Sequence, residues 1–338
     1  MRLRHRWTIL ITVAVLFVLP GSSFAQSDRP EAVATTPHLA FFSDPEVNLN
    51  DALIAAGRAR RIKSQELFLT GGEKRCFDRL PAPERAAWAR AVDYFAEIVA
   101  PFDVNAREQI LFRIELMAGS EWATGDDRTF MAIARSMRTA AMPAYQRCRW
   151  SAQDTTNRLW IAHAVALLNV HERALSERLP QIYGTRWLSL PYRVDVVDVV
   201  SPLGANAQLF VPAGPHILIP SSAATTQGNA VLEVIFHEAS HSLAGAMEEA
   251  LRQAVRARGD ALRGNISHAV IFYLTGETVR RALEQIGEPY TPYLYALKLV
   301  PDNVRDALAK ALSPYLSGRG TLVEVIDNLV QALSPAAQ

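Results

Sequence analysis

"VLEVIFHEASHSL", from Val231 to Leu243, carries two histidines four residues apart, His237 and His241, with Glu238 directly after the first. On a helix, residues at that spacing lie one turn apart on the same face. Two imidazoles so placed can converge on one ion, and the adjacent carboxylate can reach a water on that ion rather than the ion itself. The neighbours describe a buried helix: Val234, Ile235, Phe236, Ala239, Ser240, Ser242 and Leu243 include no charge, proline or glycine. A His-Glu-His set inside such a helix needs partners, because unpaired polar groups are costly to bury. A metal ion would supply them. The alternative is a pair of core histidines held by ordinary hydrogen bonds, with Glu238 in a salt bridge.

Upstream of the motif, "YRVDVVDVV" (Tyr192–Val200) alternates and is rich in valine, and "QLFVPAGPHILIPSS" (Gln208–Ser222) holds two short apolar runs around a turn. These predict a small sheet over 188–221, either three strands or a hairpin with an extra edge. Pro212, Pro215 and Pro220 favour edge positions. The helical pattern of the motif itself runs over 229–257, and a second helix, capped near Asn265 or Ser267, covers 266–286 before Gly287. Further helices close the chain. Toward the N-terminus, apolar residues recur at three and four spacing from Asn48 to about Gly184, as in "PERAAWARAVDYFAEIVA", with breaks near Pro101, Gly119 and Pro143. The expected fold class is mainly α, α+β: a helical region over 48–184, then a region over 185–338 built from the small sheet, the motif helix and C-terminal helices.

With 338 residues, 49% of them hydrophobic, the chain can bury one large core or two smaller ones. Its first residues read "MRLRHR", then the apolar "WTILITVAVLFVLP", then "GSSFAQ". This is the three-part layout of a secretory signal peptide over 1–25, with cleavage after Ala25. The apolar run is short for a membrane span, so no stable membrane insertion is expected after cleavage, and the expected location is periplasmic or secreted. Residues 26–47 are polar and contain proline, which predicts a flexible leader. Net charge is +1, and loss of Arg2, Arg4 and Arg6 with the signal segment brings it to −2. No basic run appears beyond the extreme N-terminus, so nucleic acid is not an expected partner. No phosphate-binding glycine motif is present. Cys76 and Cys148 form either one disulfide or two separate buried thiols, and neither belongs to a Cys-x-x-Cys pair of the kind that holds zinc.

"VIFHEASHSL" resembles the active-site helix of the zincin metallopeptidases, and the likeness extends from the sheet segment to the helix that follows. The resemblance implies one Zn²⁺ per chain bound by His237 and His241, Glu238 as general base, and hydrolysis of peptide bonds by a zinc-activated water. It also implies an edge strand just before the motif helix, and "PHILIPSS" (Pro215–Ser222) holds that place, so a peptide or protein substrate is expected along 215–222. The metzincin branch is excluded, because Ala244 and Met247 stand where its glycine and third histidine would be. The gluzincin branch takes its third ligand from a glutamate on a following helix, which implies Glu277 in "FYLTGETVRR", with Gly276 beside it. Asp260 and His268 are the rival ligands, and a salt bridge to Arg280 or Arg281 is the alternative role for Glu277. Tyr273, one turn before Glu277, and His268 are the expected oxyanion donors, with Tyr290, Tyr293 and Tyr295 as cleft-lining candidates. His163 and His171 are two turns apart and read as structural or surface residues, while His216 begins the expected edge strand and is placed to touch substrate. Two other readings stay open: an envelope helical binding protein with a structural zinc, and a zinc hydrolase of a non-peptide amide.

Overall fold

Valine-rich and aromatic segments come together into a sheet larger than expected. The computed structural model describes residues 31–62, 70–101, 125–188, 191–198, 204–208, 214–259 and 266–334. Its first strands, β1 (Ala34–Thr35) and β2 (Leu39–Phe42), lie in the segment expected to be a flexible leader. β3 (Tyr192–Val197), β4 (Asn206–Gln208) and β5 (His216–Pro220) complete a five-stranded sheet of order β1-β2-β3-β5-β4. The three inner strands are parallel, and β1 and β4 run antiparallel at the two rims. The flexible-leader expectation is corrected, whereas the three strands expected over 188–221 are β3, β4 and β5, which β1 and β2 extend from outside that segment. "LAFF" is too short for periodicity to announce it, yet Leu39 and Phe41 are buried, and they pair with Tyr192 and Val194.

β5 is a further correction. It was expected at an edge, free to take a substrate along 215–222. Instead Ile217 pairs with Val194 of β3 on one side and Ala207 of β4 on the other. Its ladder bonds over 216–218 are therefore spent within the sheet. The prolines cause no conflict, because Pro215 precedes the strand and Pro220 is its last residue.

α1 (Pro45–Arg61) starts on Asp44, whose carboxylate accepts the Glu46 N–H at 2.9 Å, with Pro45 in the first turn. α2 (Gly71–Asp78) opens with a Thr70–Glu73 capping box. α3 (Ala82–Tyr94) runs into a π-helical turn at Phe95–Val99. α4 (Gly125–Tyr145) passes through a second π-turn, Gln146–Trp150, into α5 (Ser151–Tyr183). Two apolar cores result. One joins α1 to α4 through residues such as Leu53, Trp88, Phe95 and Tyr145. The other unites the sheet, α5 and the C-terminal helices.

α5 buries Trp160, Ala164, Leu168, Leu175 and Leu179 in that second core, so the cores part near 150 and not at the expected boundary of 184. Buried hydrogen bonds cross the seam between them. Asn48 Nδ2 donates to the Val196 carbonyl (3.1 Å) and Asn157 Nδ2 donates to Asn48 Oδ1 (3.1 Å), while Ser221 Oγ, on the same side as Asn157, donates to Asn157 Oδ1 (2.6 Å). Cys76 and Cys148 are joined as a disulfide, tying α2 to the second π-turn. The described residues from Ala32 onward make one compact unit.

The single motif helix expected over 229–257 is two helices, α6 (Ala230–Ser240) and α7 (Gly245–Arg256). At the break, Ser242 N bonds to Ala239 O (3.0 Å) and Leu243 N to Ser240 O (2.9 Å), three residues back rather than four. The Ser242 hydroxyl also takes the Ala239 carbonyl at 2.7 Å, the local competition by which serine loosens a helix. α8 (Ile266–Glu284) follows the expected 266–286 closely, and Gly287, at φ 81°, turns the chain out of it. α9 (Tyr293–Ala296), α10 (Asp302–Leu316) and α11 (Leu322–Leu333) complete a mainly α, α+β fold. The signal segment 1–25, the helical pattern within 102–124 and Asp260 lie outside the described residues. Among the described residues, no helix is long and apolar enough to cross a membrane.

Candidate metal centre

α6 is buried along its whole length, against the sheet, α5 and α8. His237 falls in its last turn, His241 is its first residue beyond, and His268 sits in the first turn of α8. The break after Ser240 thus ends the motif helix where the two imidazoles face the start of α8. The three histidines each offer a ring nitrogen, and these nitrogens all lie within 4.8 Å of one another. His237 Nε2 and His268 Nε2 are 2.9 Å apart. The ring centroids are separated by 5.1, 4.9 and 5.3 Å. Phe272, one turn past His268, stacks on the His237 ring at 3.9 Å and also packs against His268.

Burial holds the His237 imidazole well below the ordinary histidine value, and positive charge on His241 or His268 would press it lower still. His241 is pushed down to about 4 by the same causes, and His268 is lowered by burial. Three neutral imidazoles facing one another present lone pairs, which is the donor chemistry of a transition-metal site. His237 Nδ1 is buried without a hydrogen bond.

The residues fit zinc. Nitrogens about 2.0–2.1 Å from a tetrahedral ion stand roughly 3.4 Å from each other. The 2.9 Å pair would open by about half an ångström, and the other pairs, all within 4.8 Å, would close by at most about 1.4 Å. Among the described residues three such donors converge, the number of protein ligands that catalytic zinc sites use.

The expected third ligand is corrected. Glu277 is not among the converging donors; its Oε2 accepts from Arg280 Nη2 at 2.7 Å and from Nε at 3.1 Å. Both His268 and Glu277 lie on α8, and nine residues of helix separate them by about 14 Å, too far to share an ion. Tyr273 is also turned away, since five residues from His268 is about 140° around the helix. It is buried beside Glu277, Tyr295 and Arg281, with its hydroxyl engaged by Ser313. Glu238 is buried next to His237, and its charge helps raise the Tyr293 phenol above its ordinary value, after burial and Glu233.

Of the other expected residues, Tyr293 comes nearest the histidines. Its ring meets Phe272 edge-on at 6.5 Å, and its hydroxyl donates to the Thr225 and Ala230 carbonyls. Tyr290 donates to Glu233, and Tyr295 belongs with Glu277. His216 does not face a substrate cleft: it is buried, with Nε2 2.6 Å from Asp195, in an ionic chain that continues through Arg193 to Asp44. His163 is exposed, its ring nitrogen 3.3 Å from the Gly228 carbonyl, and His171 is buried.

Two residues near the centre escaped the sequence reading. Phe272 lies four residues past His268, a spacing that shares its face. Glu233 lies four before His237, a lone acid in an apolar run. Both signals were visible as spacings. The chain matches no protein-family model, no curated protein and no solved structure.

Proposed function

We propose that the chain is a zinc-dependent hydrolase acting on peptide bonds, with His237, His241 and His268 as the ligands and Glu238 as the general base. The observation that carries the reading is the convergence of three neutral histidines from two helices, with an acid beside the first. Zinc in that position supplies a water of lowered pKa and a Lewis acid for the scissile carbonyl. Glu238 takes the proton of the attacking water and hands it to the leaving amine. The HExxH-type spacing supports the peptidase assignment over other amide hydrolases. The three donors that converge among the described residues match the protein ligand number of catalytic zinc sites, which favours catalysis over a structural zinc in a helical binding protein. Among the described residues β4 pairs on one side only, and it packs near α6, so an extended peptide is placed along β4 by strand addition. Export to an oxidising compartment is supported by the layout of residues 1–25 and by the Cys76–Cys148 disulfide.

Metal analysis of the purified chain tests this directly. One zinc per chain is expected, lost in His268→Ala and retained in Glu277→Ala. Glu238→Gln should keep the metal and lose cleavage of a random peptide library. A wild-type chain reconstituted with zinc that fails to hold it would sink the assignment.

A further inference from the structure

Glu233 has no solvent exposure, and among the described residues no cation pairs with it in the way Arg280 pairs with Glu277. Its carboxylate is held by neutral donors. Tyr290 O–H reaches Oε2 at 2.6 Å, and the Tyr293 N–H reaches Oε2 and Oε1 at 3.0 and 3.2 Å. On its other side lies Gly276 of α8. A Cβ on that glycine would stand 2.8 Å from Glu233 Oε1 and 2.7 Å from the Pro292 Cβ. Helix α6, helix α8 and the 290–293 segment therefore meet at this one carboxylate, and only glycine fits between them.

The position matters because α6 carries His237 and His241 while α8 carries His268. The bite of the three nitrogens is set by how closely those two helices approach. Glu233 is one turn from His237 on the same helix. It also reaches the site by a second route. It anchors the Tyr293 backbone, the Tyr293 ring backs Phe272, and Phe272 stacks on His237 and His268. Thr275, next to Gly276, gives its hydroxyl to Ser240 Oγ at 3.2 Å, a second tie between the same two helices.

We infer that Glu233, seated on Gly276 and tied to Tyr290 and Tyr293, is a positioning residue that fixes the separation of α6 and α8 and thereby the geometry of the three-histidine metal site. The inference rests on the metal-site reading above. It differs from a merely structural role in what it predicts. A structural acid would change the stability of the chain and leave the coordination sphere alone. A spacer would alter metal affinity and coordination geometry in chains that remain folded.

Cobalt(II) serves as the probe, because its visible absorption reports coordination geometry. The full chain is compared with Glu233→Ala, Glu233→Gln and Tyr290→Phe, measuring cobalt affinity by chelator competition, the cobalt spectrum, and unfolding of the metal-free chain. Glu233→Ala should weaken cobalt binding by about 10- to 100-fold, the range seen when groups supporting metal ligands are removed, and shift the spectrum. Glu233→Gln keeps the length and still accepts the Tyr293 N–H, so it should restore most of the affinity. Tyr290→Phe deletes one hydroxyl from a half-buried ring and should give a smaller loss of the same kind; it carries the test if Glu233→Ala does not fold. Wild-type affinity and an unchanged spectrum in the folded variants would overturn the inference. A wild-type chain that binds no cobalt overturns the metal site itself and this role with it, and that result is recognisable before any variant is made.

Discussion

Raising the pH should weaken this fold through a single carboxyl. Burial pushes Glu233 up to about 7 from its ordinary 4.5; the bonds from Tyr290 and the Tyr293 amide offset part of that, and the Glu277 charge adds to it. The folded chain then binds this proton more tightly than the unfolded chain does. The stabilisation is fully present below about 4.5 and is lost as the pH rises through about 7. A shift of that size corresponds to about 3 kcal/mol, of which roughly 2.5 kcal/mol falls between pH 5 and pH 8. The histidines work in the opposite direction. Their folded values are depressed, so they favour the folded state as pH rises toward the ordinary histidine range. The wild-type profile alone is therefore ambiguous, and the informative quantity is its difference from Glu233→Gln, which cannot titrate. Urea unfolding of both chains, metal-free, in steps from pH 5 to pH 8 measures it. Relative to the glutamine variant, the wild type should lose about 2–3 kcal/mol across that range. Parallel profiles, differing by less than about 0.5 kcal/mol throughout, would refute the claim that burial controls this carboxyl.

Two further outcomes are expected. Gly57→Ala places a Cβ 2.8 Å from the Ala96 amide nitrogen and 3.0 Å from the Phe95 carbonyl carbon, backbone atoms that cannot swing aside. The overpacking, about 1–3 kcal/mol, should exceed the helix-propensity gain of about 1 kcal/mol, so thermal melting should show a net loss where exposed helix sites would show a gain. Cys76 and Cys148 close a loop with a sequence separation of 72. Replacing both by serine should cost about 4 kcal/mol by urea unfolding, and a loss under about 1 kcal/mol would mean the unfolded chain is little constrained by the link.

The motif was legible because its information is local. His237, Glu238 and His241 sit within one and a half turns of buried helix, and an uncharged run of sequence announces such a helix. The third donor was legible only as a rival to Glu277, because nothing in the spacing between His241 and His268 says that α8 returns its first turn to the end of α6. The glutamate that family likeness favoured is on the right helix at the wrong height, and its own sequence neighbour Arg280 claims it. The same division runs through the fold. α5 and α8 could be read from their apolar period. β2 could not, because four residues show no period and its partner strand is far away in sequence. The helix break at His241–Ala244 involves the Ser242 hydroxyl, which bonds locally to Ala239 and also meets Tyr192, a contact that exists only once the sheet is in place.

The sheet also sets the order in which this chain can fold. β2 lies between β1 and β3, and its pairing of Leu39 with Tyr192 spans about 150 residues. The sheet therefore cannot close until well past the midpoint of synthesis, and contacts that distant form slowly. The helical core of α1 to α4 has no such wait. The half that carries His237, His241 and His268, which has β3 and β5 at its back, stays unassembled until all the strands of that sheet have been made.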